Sequence, residues 1–134
     1  MLALDCWSSR FNCVWAAVRA ADTESALAGR RVYWVRERSA SRPLGVLHGL
    51  VEARRILRLE RPGAVVSAGS GVAVPFFLAA YALAIPTIWI STLNVIRAPG
   101  LAARVCSRLA SLVLLQRETL LHDHPRGIVI GELY

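Results

Sequence analysis

Two glycines and two serines lie close together in the sequence SAGSG, which contains Ser67, Gly69, Ser70 and Gly71. The segment follows a short apolar run at 64–66 and precedes a long apolar stretch typical of a buried helix. A glycine turn between a strand and a helix lets a phosphate approach backbone N–H groups at the positive end of the helix dipole. The pattern therefore predicts a phosphate-binding turn, although a strand-to-helix turn without a ligand has the same spacing.

The turn matches neither of the common nucleotide-binding motifs. It is not a Walker A sequence or a complete GxGxxG fingerprint, so ATP and NAD are not indicated. A second polar loop, 91–94, follows the next predicted strand. Ligands in parallel sheets bind at the carboxyl ends of strands, so this loop is either part of the same site or an ordinary polar turn. The candidate phosphate-binding residues are Ser67, Gly69, Ser70, Gly71, Ser91, Thr92 and Asn94.

The sequence contains no complete set of catalytic residues. Ser-His-Asp order, paired carboxylates and the HExxH motif are all missing. His122 and His124 flank Asp123 and suggest a metal site or a proton relay, but a solvated turn is favoured because no further ligand stands at helical spacing. Three cysteines leave one unpaired in any disulfide scheme, which favours a reduced cytoplasmic setting. We expect no catalytic residue, no metal and no cofactor in this chain.

All 16 basic residues are arginines, and against nine acidic residues they give a formal net charge of +7. This charge favours anionic partners. The arginines of the predicted helices form either a solvated face or a surface for anionic lipid headgroups, where each contributes about 1 kcal/mol. Nucleic acid is disfavoured because no RNP motif, KH loop or helix-turn-helix is visible. The candidate residues of this anionic-membrane surface are Arg54, Arg55, Arg58, Arg104 and Arg108.

A run of 35 residues, 62–96, carries no charge and raises the question of a membrane span. Residues 72–90 reach the length of about 20 residues that a spanning helix needs. However, Pro86 is followed by TIWI, whose β-branched and aromatic residues are typical of a buried strand. We interpret the run as strand, glycine turn, helix, proline turn and strand, with a spanning helix as the weaker alternative.

Short apolar runs alternate with amphipathic segments along the chain. A chain of 134 residues with 55% hydrophobic and 19% charged residues is long enough for one domain with a core and is not disordered. The alternation predicts an α/β fold, a Rossmann-like parallel sheet covered by helices. The main predicted helices are 44–59, burying Val46, Leu50, Ala53 and Leu57, and 100–110, burying Leu101, Val105 and Leu109. The predicted strands are 11–18, 31–36, 64–67, 87–91, 112–115 and 127–130, and the four tryptophans are mostly core candidates.

Three stretches resemble the oligosaccharide-biosynthesis subunit family: VVSAGSGVAVPFFLAAYALAIPTIWIS, RAPGLAARVCSRLASLVLLQ and HPRGIVIGELY. This family is similar to the N-terminal half of MurG-type GT-B glycosyltransferases, so the resemblance implies a fold of the GT-B N-terminal-domain type over residues 1–134. Its members are accessory, non-catalytic subunits that anchor and activate a UDP-N-acetylglucosamine transferase in oligosaccharide or polysaccharide biosynthesis. The resemblance implies a peripheral protein at the cytoplasmic face of a membrane.

The resemblance also implies partners. A separate catalytic glycosyltransferase chain, the C-terminal GT-B half, supplies the site for the UDP-sugar, and a polyprenyl- or dolichyl-diphosphate-linked acceptor lies against Gly69, Ser70 and Gly71. An anionic membrane surface is a further partner, and nucleic acid is not. The alternative function is a basic binding module for anionic lipid or nucleic acid without transferase activity.

The chain departs from the family pattern at several places. Ser91 stands where the family usually has an acidic residue, and Val95 stands where an arginine is common. The family's first strand and its Gly-Gly-His loop are also missing, because residue 1 matches a point in the helix that follows them. In the strand order 3-2-1-4-5 that strand is central. We therefore expect a sheet without its first central strand, a chain inactive alone, and a natural start upstream of Met1.

Overall fold

The computed structural model describes residues 9–36, 42–69, 71–91, 100–122 and 124–131. Strands and helices alternate along these residues, as the sequence pattern predicts. The strands are β1 (Trp15–Val18), β2 (Val32–Val35), β3 (Val65–Ser67), β4 (Thr87–Ser91), β5 (Leu112–Leu115) and β6 (Ile128–Val129). The helices are α1 (Ala21–Ala26), α2 (Pro43–Glu60), α3 (Ala73–Ala82) and α4 (Leu101–Leu109), with a 3₁₀-helix at Glu118–Leu121.

All the strand pairs among the described residues are parallel, and they form two sheets. One sheet pairs β1 with β2, and the other has the order β3-β4-β5-β6. Parallel strands joined through helices confirm the Rossmann-like α/β fold class. No ladder joins the two sheets within the described residues.

Strand β4 lies at the centre of the four-stranded sheet, and its sequence TIWIS explains why. Four of its five residues are buried, because β-branched and aromatic side chains fill both faces of a parallel strand. Thr87 and Ser91, at the two ends of the strand, are its buried polar residues. The Thr87 hydroxyl donates to the Leu109 carbonyl and accepts from the Ser111 N–H, both at 3.2 Å, so hydrogen bonds connect the start of β4 to the start of β5.

Helix α3 joins the two main parts of the core. Phe77 is fully buried and meets Trp89 of β4 edge-to-face, with ring centroids 5.9 Å apart. Another side of the helix presents Ala79 and Ala80 to Ala53 of α2, and these small side chains let the two helices pack closely. The helix is apolar all round, as expected for a buried helix.

Three sequence predictions are wrong in detail. The first strand begins at Trp15 and not at Phe11, which is exposed, because its partner strand β2 begins only after the turn at Gly29. Leu101 is exposed because α4 buries Cys106, which lies about 140° away around the helix axis. Trp34 is 38% exposed and is not a core residue.

The uncharged run around 72–90 contains a helix, a turn and a strand. Helix α3 ends at Ala82, a turn follows at residues 83–84, where Ala84 adopts a φ of 54°, and β4 begins at Thr87 directly after Pro86. No helix in the described part of the chain is both long enough and apolar enough to cross a membrane.

Candidate functional site

The glycine-rich turn lies where predicted, at the carboxyl end of β3. The strand ends at Ser67, and Gly69 adopts a φ of 123°, a conformation that side chains larger than hydrogen rarely allow. The Gly69 N–H donates to the Ser67 Oγ at 3.4 Å, so the serine hydroxyl helps to shape the turn. Gly71 is half-buried just before α3, whereas Ser70 lies outside the described residues.

The N-terminus of α3 follows this turn directly. Val72 precedes the helix and makes no side-chain cap hydrogen bond, so no N-cap side chain occupies the N–H groups of the first turn. Pro75 in that turn has no N–H to satisfy. The remaining N–H groups and the positive end of the helix dipole form the kind of site that binds a phosphate.

Ser91 lies at the same edge of the sheet as the turn. Ser67 pairs with Trp89 in the register of β3 with β4, and Ser91 is two residues further along β4. The structure thus brings Ser67, Gly69, Gly71 and Ser91 to neighbouring strand ends, as predicted. Ser91 is only 6% exposed, because β5 pairs alongside it at Leu115. The other predicted loop residues, Thr92 and Asn94, lie outside the described residues.

The outer face of α2 combines charge with apolar surface. Its carboxyl-terminal half carries Arg54, Arg55 and Arg58, all exposed as predicted. Its amino-terminal half exposes Leu44, Leu47 and Val51, which at spacings of three and four residues lie on the same side of the helix as the arginines. We call these six residues the α2 face. The arginines of this surface were predicted from the sequence, whereas its leucines were not, although their spacing is visible there.

The other predicted arginines lie on a different helix. Arg104 and Arg108 are exposed on α4, one turn apart. Helix α2 packs against α3, and α3 packs against α4. The five predicted arginines therefore belong to two helices of one layer, with α3 between them.

Two titratable groups have shifted pKa values. Burial raises the pKa of the Cys106 thiol to about 12. The hydrogen bond to Glu60 is the main cause that raises the pKa of Tyr33 above its usual value. Both groups lie away from the glycine turn, on α4 and β2. No cluster of three metal-ligating side chains occurs among the described residues, a set that includes His122 and His124 but not Asp123.

Comparison with known proteins relates this chain to glycosyltransferases. No protein-family model matches it. It is 43% identical over 65 residues to a UDP-N-acetylglucosamine–N-acetylmuramyl-(pentapeptide) pyrophosphoryl-undecaprenol N-acetylglucosamine transferase of Roseiflexus sp. (strain RS-1). The match covers 48% of this chain and 14% of the relative, so the chain corresponds to a small part of that enzyme's length.

Solved structures agree on the fold. The crystal structure of Acinetobacter baumannii MurG matches 87% of this chain and 37% of its own, with a TM-score of 0.71 and 22% identity. The UDP-N-acetylglucosamine 2-epimerase from Rickettsia bellii matches 98% of this chain and 42% of its own, with a TM-score of 0.71 and 13% identity. Fold and sequence similarity together define a GT-B-type Rossmann-like domain with a region related to UDP-sugar glycosyltransferases.

Proposed function

We propose that this chain is the acceptor-side subunit of a two-chain glycosyltransferase. In this proposal a separate catalytic chain binds a UDP-sugar, such as UDP-N-acetylglucosamine, and this chain holds a polyprenyl-diphosphate-linked acceptor. The transferred sugar serves oligosaccharide or polysaccharide biosynthesis. The relative from Roseiflexus acts on a pyrophosphoryl-undecaprenol substrate, as its name states, and that chemistry fits an acceptor with a diphosphate.

One observation carries the proposal: the glycine turn after β3 leads directly into a helix whose N-terminus has no side-chain cap. A diphosphate bound there accepts hydrogen bonds from backbone N–H groups and neutralises the helix dipole. Ser91, which is 6% exposed at the neighbouring strand end, stands where the resembled family usually has an acidic residue, so this position adds no negative charge near the proposed diphosphate. We assign to Ser91 a binding role and no proton transfer.

The α2 face is the proposed contact with the membrane. Leu44, Leu47 and Val51 give it apolar area, and the three arginines beside them attract anionic headgroups. An acceptor with a polyprenyl chain is itself held in the bilayer, so a membrane contact on the same domain brings the diphosphate within reach of the turn. In this proposal the subunit is peripheral and lies at the cytoplasmic face.

The transferase role is tested with Gly71→Val in the two-chain complex. The branched side chain stands beside the backbone N–H groups that the diphosphate needs, so we expect at least a tenfold loss of sugar transfer to a polyprenyl-diphosphate acceptor. The control is Gly63→Val at the opposite end of β3, where an added Cβ meets no atom within 4 Å. The urea midpoint of each variant separates lost function from lost folding.

The result also decides between the proposal and its alternative. Full activity of a folded Gly71→Val complex means that the turn holds no ligand. Failure of the chain to stimulate any catalytic partner, together with retained vesicle binding, favours the alternative, a basic module for anionic lipid without transferase activity. That alternative is supported only by the arginines of α2 and α4.

The membrane contact is tested with vesicles of phosphatidylcholine and phosphatidylglycerol. We expect cosedimentation at low salt and release as the salt concentration rises, because arginines act through screened electrostatics. The triple variant Arg54→Gln, Arg55→Gln and Arg58→Gln should weaken binding at least tenfold. A charge-matched triple control replaces Arg10, Arg36 and Arg126, all exposed elsewhere on the chain. Equal losses in the two triple variants would mean that net charge, and not the α2 face, governs binding.

A further inference from the structure

His48 lies on the exposed side of α2, in line with residues of the α2 face. Leu44, His48, Val51 and Arg55 follow one another at spacings of three and four residues, so their side chains form one stripe along the helix. All four residues are exposed, Leu44 by 72% and Val51 by 67%. A membrane that meets the α2 face therefore also meets His48.

A hydrogen bond orients the His48 ring. Its Nδ1 atom lies 2.9 Å from the carbonyl oxygen of Leu44, one turn earlier in the helix. A carbonyl oxygen only accepts, so Nδ1 carries the proton of this bond, and Nε2 is the atom of the neutral ring that can gain a second proton. Because Nδ1 keeps its proton in both charge states, protonation adds a positive charge without breaking this bond.

The charged groups near His48 belong to α2 itself. Glu52 follows one turn later and favours the charged imidazole, whereas Arg55, two turns later and about 10 Å along the axis, disfavours it more weakly. The elements that share the apolar cluster on the buried side of α2 are α3, β2 and β3, and they contain no charged residue. Their titratable groups are the phenols of Tyr33 and Tyr81, and phenols lose a proton only at alkaline pH.

We propose that protonation of His48 strengthens the contact of the α2 face with an anionic membrane, so that membrane binding by this chain responds to pH. The inference rests on the membrane contact of the proposed function and adds its regulation. Imidazole changes its charge between pH 5 and 8. An imidazolium at this position adds a positive charge beside three arginines, and each such charge near an acidic leaflet tightens binding about fivefold.

The test compares vesicle binding at pH 5.5 and pH 7.5 for the unsubstituted chain, His48→Gln and His122→Gln. The vesicles contain phosphatidylcholine and phosphatidylglycerol. The ratio of the affinities at the two pH values should be about fivefold larger for the unsubstituted chain than for His48→Gln, whose side chain stays neutral. His122 is exposed outside α2, so His122→Gln removes the same titrating group elsewhere and should keep the ratio. An unchanged ratio in His48→Gln, or an equal decrease in both variants, overturns the proposal.

Two further measurements test whether charge at this position is the cause. His48→Arg is positive at both pH values and should bind the same vesicles at pH 7.5 about fivefold more tightly than the unsubstituted chain does. No gain in affinity would overturn the proposal. Vesicles of phosphatidylcholine alone offer no net negative charge, so on them the unsubstituted chain and His48→Gln should respond equally to pH. A difference as large as on the anionic vesicles would also overturn it.

The outcomes separate this inference from the proposed function. If the triple arginine variant of α2 loses binding while His48→Gln keeps the full pH dependence, the membrane contact is supported and the role of His48 is wrong. If the unsubstituted chain binds anionic vesicles at neither pH, both are wrong. The urea midpoint of each variant shows that it is folded under the conditions of the binding measurement.

Discussion

The two sheets of this domain are stabilised in different ways. The four-stranded sheet has its own apolar core, in which Phe77, Trp89 and Leu115 are almost or fully buried. In the two-stranded sheet Val35 is the only buried residue of either strand. Val35 shares an apolar cluster with residues of α2. A polar contact adds to this connection, because Glu60 of α2 accepts hydrogen bonds from Arg31 at 2.7 Å and from Tyr33 at 2.5 Å.

Arginines also cover the aromatic surface of the smaller sheet. Arg30 lies over the ring of Trp15 at 5.4 Å, and Arg19 lies over Trp34 at 5.9 Å. Such contacts stabilise by about 0.5–1 kcal/mol at exposed sites, less than the burial of one large side chain. The comparison shows that burial stabilises β4 and β5 at the centre of the larger sheet, whereas β1–β2 depends more on polar contacts at its rim. Local opening should therefore begin in β1–β2.

The largest effect is expected from Phe77→Ala, which removes the ring that meets Trp89. Deleting a fully buried aromatic side chain costs about 3–5 kcal/mol, a large share of the stability of a small domain. The urea midpoint measures the loss. Tyr81→Ala on the same helix, where the side chain is 70% exposed, should change stability by less than about 0.5 kcal/mol.

A second substitution protects this test against simple failure to fold. Phe77→Leu keeps most of the apolar volume and should cost roughly 1–1.5 kcal/mol. If Tyr81→Ala lowers stability as much as Phe77→Leu does, the face of α3 that carries Phe77 does not form the core.

Much of the four-stranded sheet could be predicted from the sequence. Strands 87–91 and 112–115 agree residue for residue with β4 and β5, because each is a short apolar run between turn residues. The glycine turn could be placed at a strand end for the same reason. Burial of apolar side chains stabilises this sheet, and an apolar run in the sequence indicates a buried strand directly.

The features that could not be predicted from the sequence depend on tertiary contacts, which no local sequence pattern indicates. The start of β1 is set by where β2 begins, and the exposure of Trp34 is set by what covers its sheet. The spacing of the leucines of the α2 face is typical of any amphipathic helix, and it does not indicate whether another element covers them. Pairing of Glu60 with Tyr33, 27 residues away, has no sequence signal.

A medium effect is expected from Glu60→Gln, which weakens the polar connection of β2 to α2. The carboxylate is only 11% exposed and accepts from two donors, so the loss should be about 1–2 kcal/mol. Hydrogen exchange should speed up in β1 and β2 but not in β4 or β5. Glu24→Gln is the matched control, because its ion pair with Arg19 is exposed and contributes less than about 0.5 kcal/mol. Equal acceleration of hydrogen exchange in both sheets would contradict the conclusion that different contacts stabilise them.

The smallest effect concerns Cys106, buried in the core of the four-stranded sheet. Its pKa is raised from 9.0 to about 12 by burial, so the folded protein retains a thiol proton that the unfolded chain loses above pH 9. The unfolded state then binds fewer protons, and stability must fall as pH rises from 9 towards 12. Relative to pH 8, the expected loss at pH 9.5 is about 0.8 kcal/mol.

Cys106→Ala isolates this contribution from other alkaline titrations. The substitution lowers the free energy of unfolding at pH 8 because packing is lost. At pH 9.5 the difference in unfolding free energy between the two proteins should be smaller by about 0.8 kcal/mol, because alanine has no proton to lose. Urea midpoints at the two pH values measure the change. Tyr33, whose pKa is also raised, titrates in both proteins and cancels in the difference. Parallel pH curves for the two proteins would show that the thiol titrates normally, and hence that water reaches the core of the sheet that burial is said to stabilise.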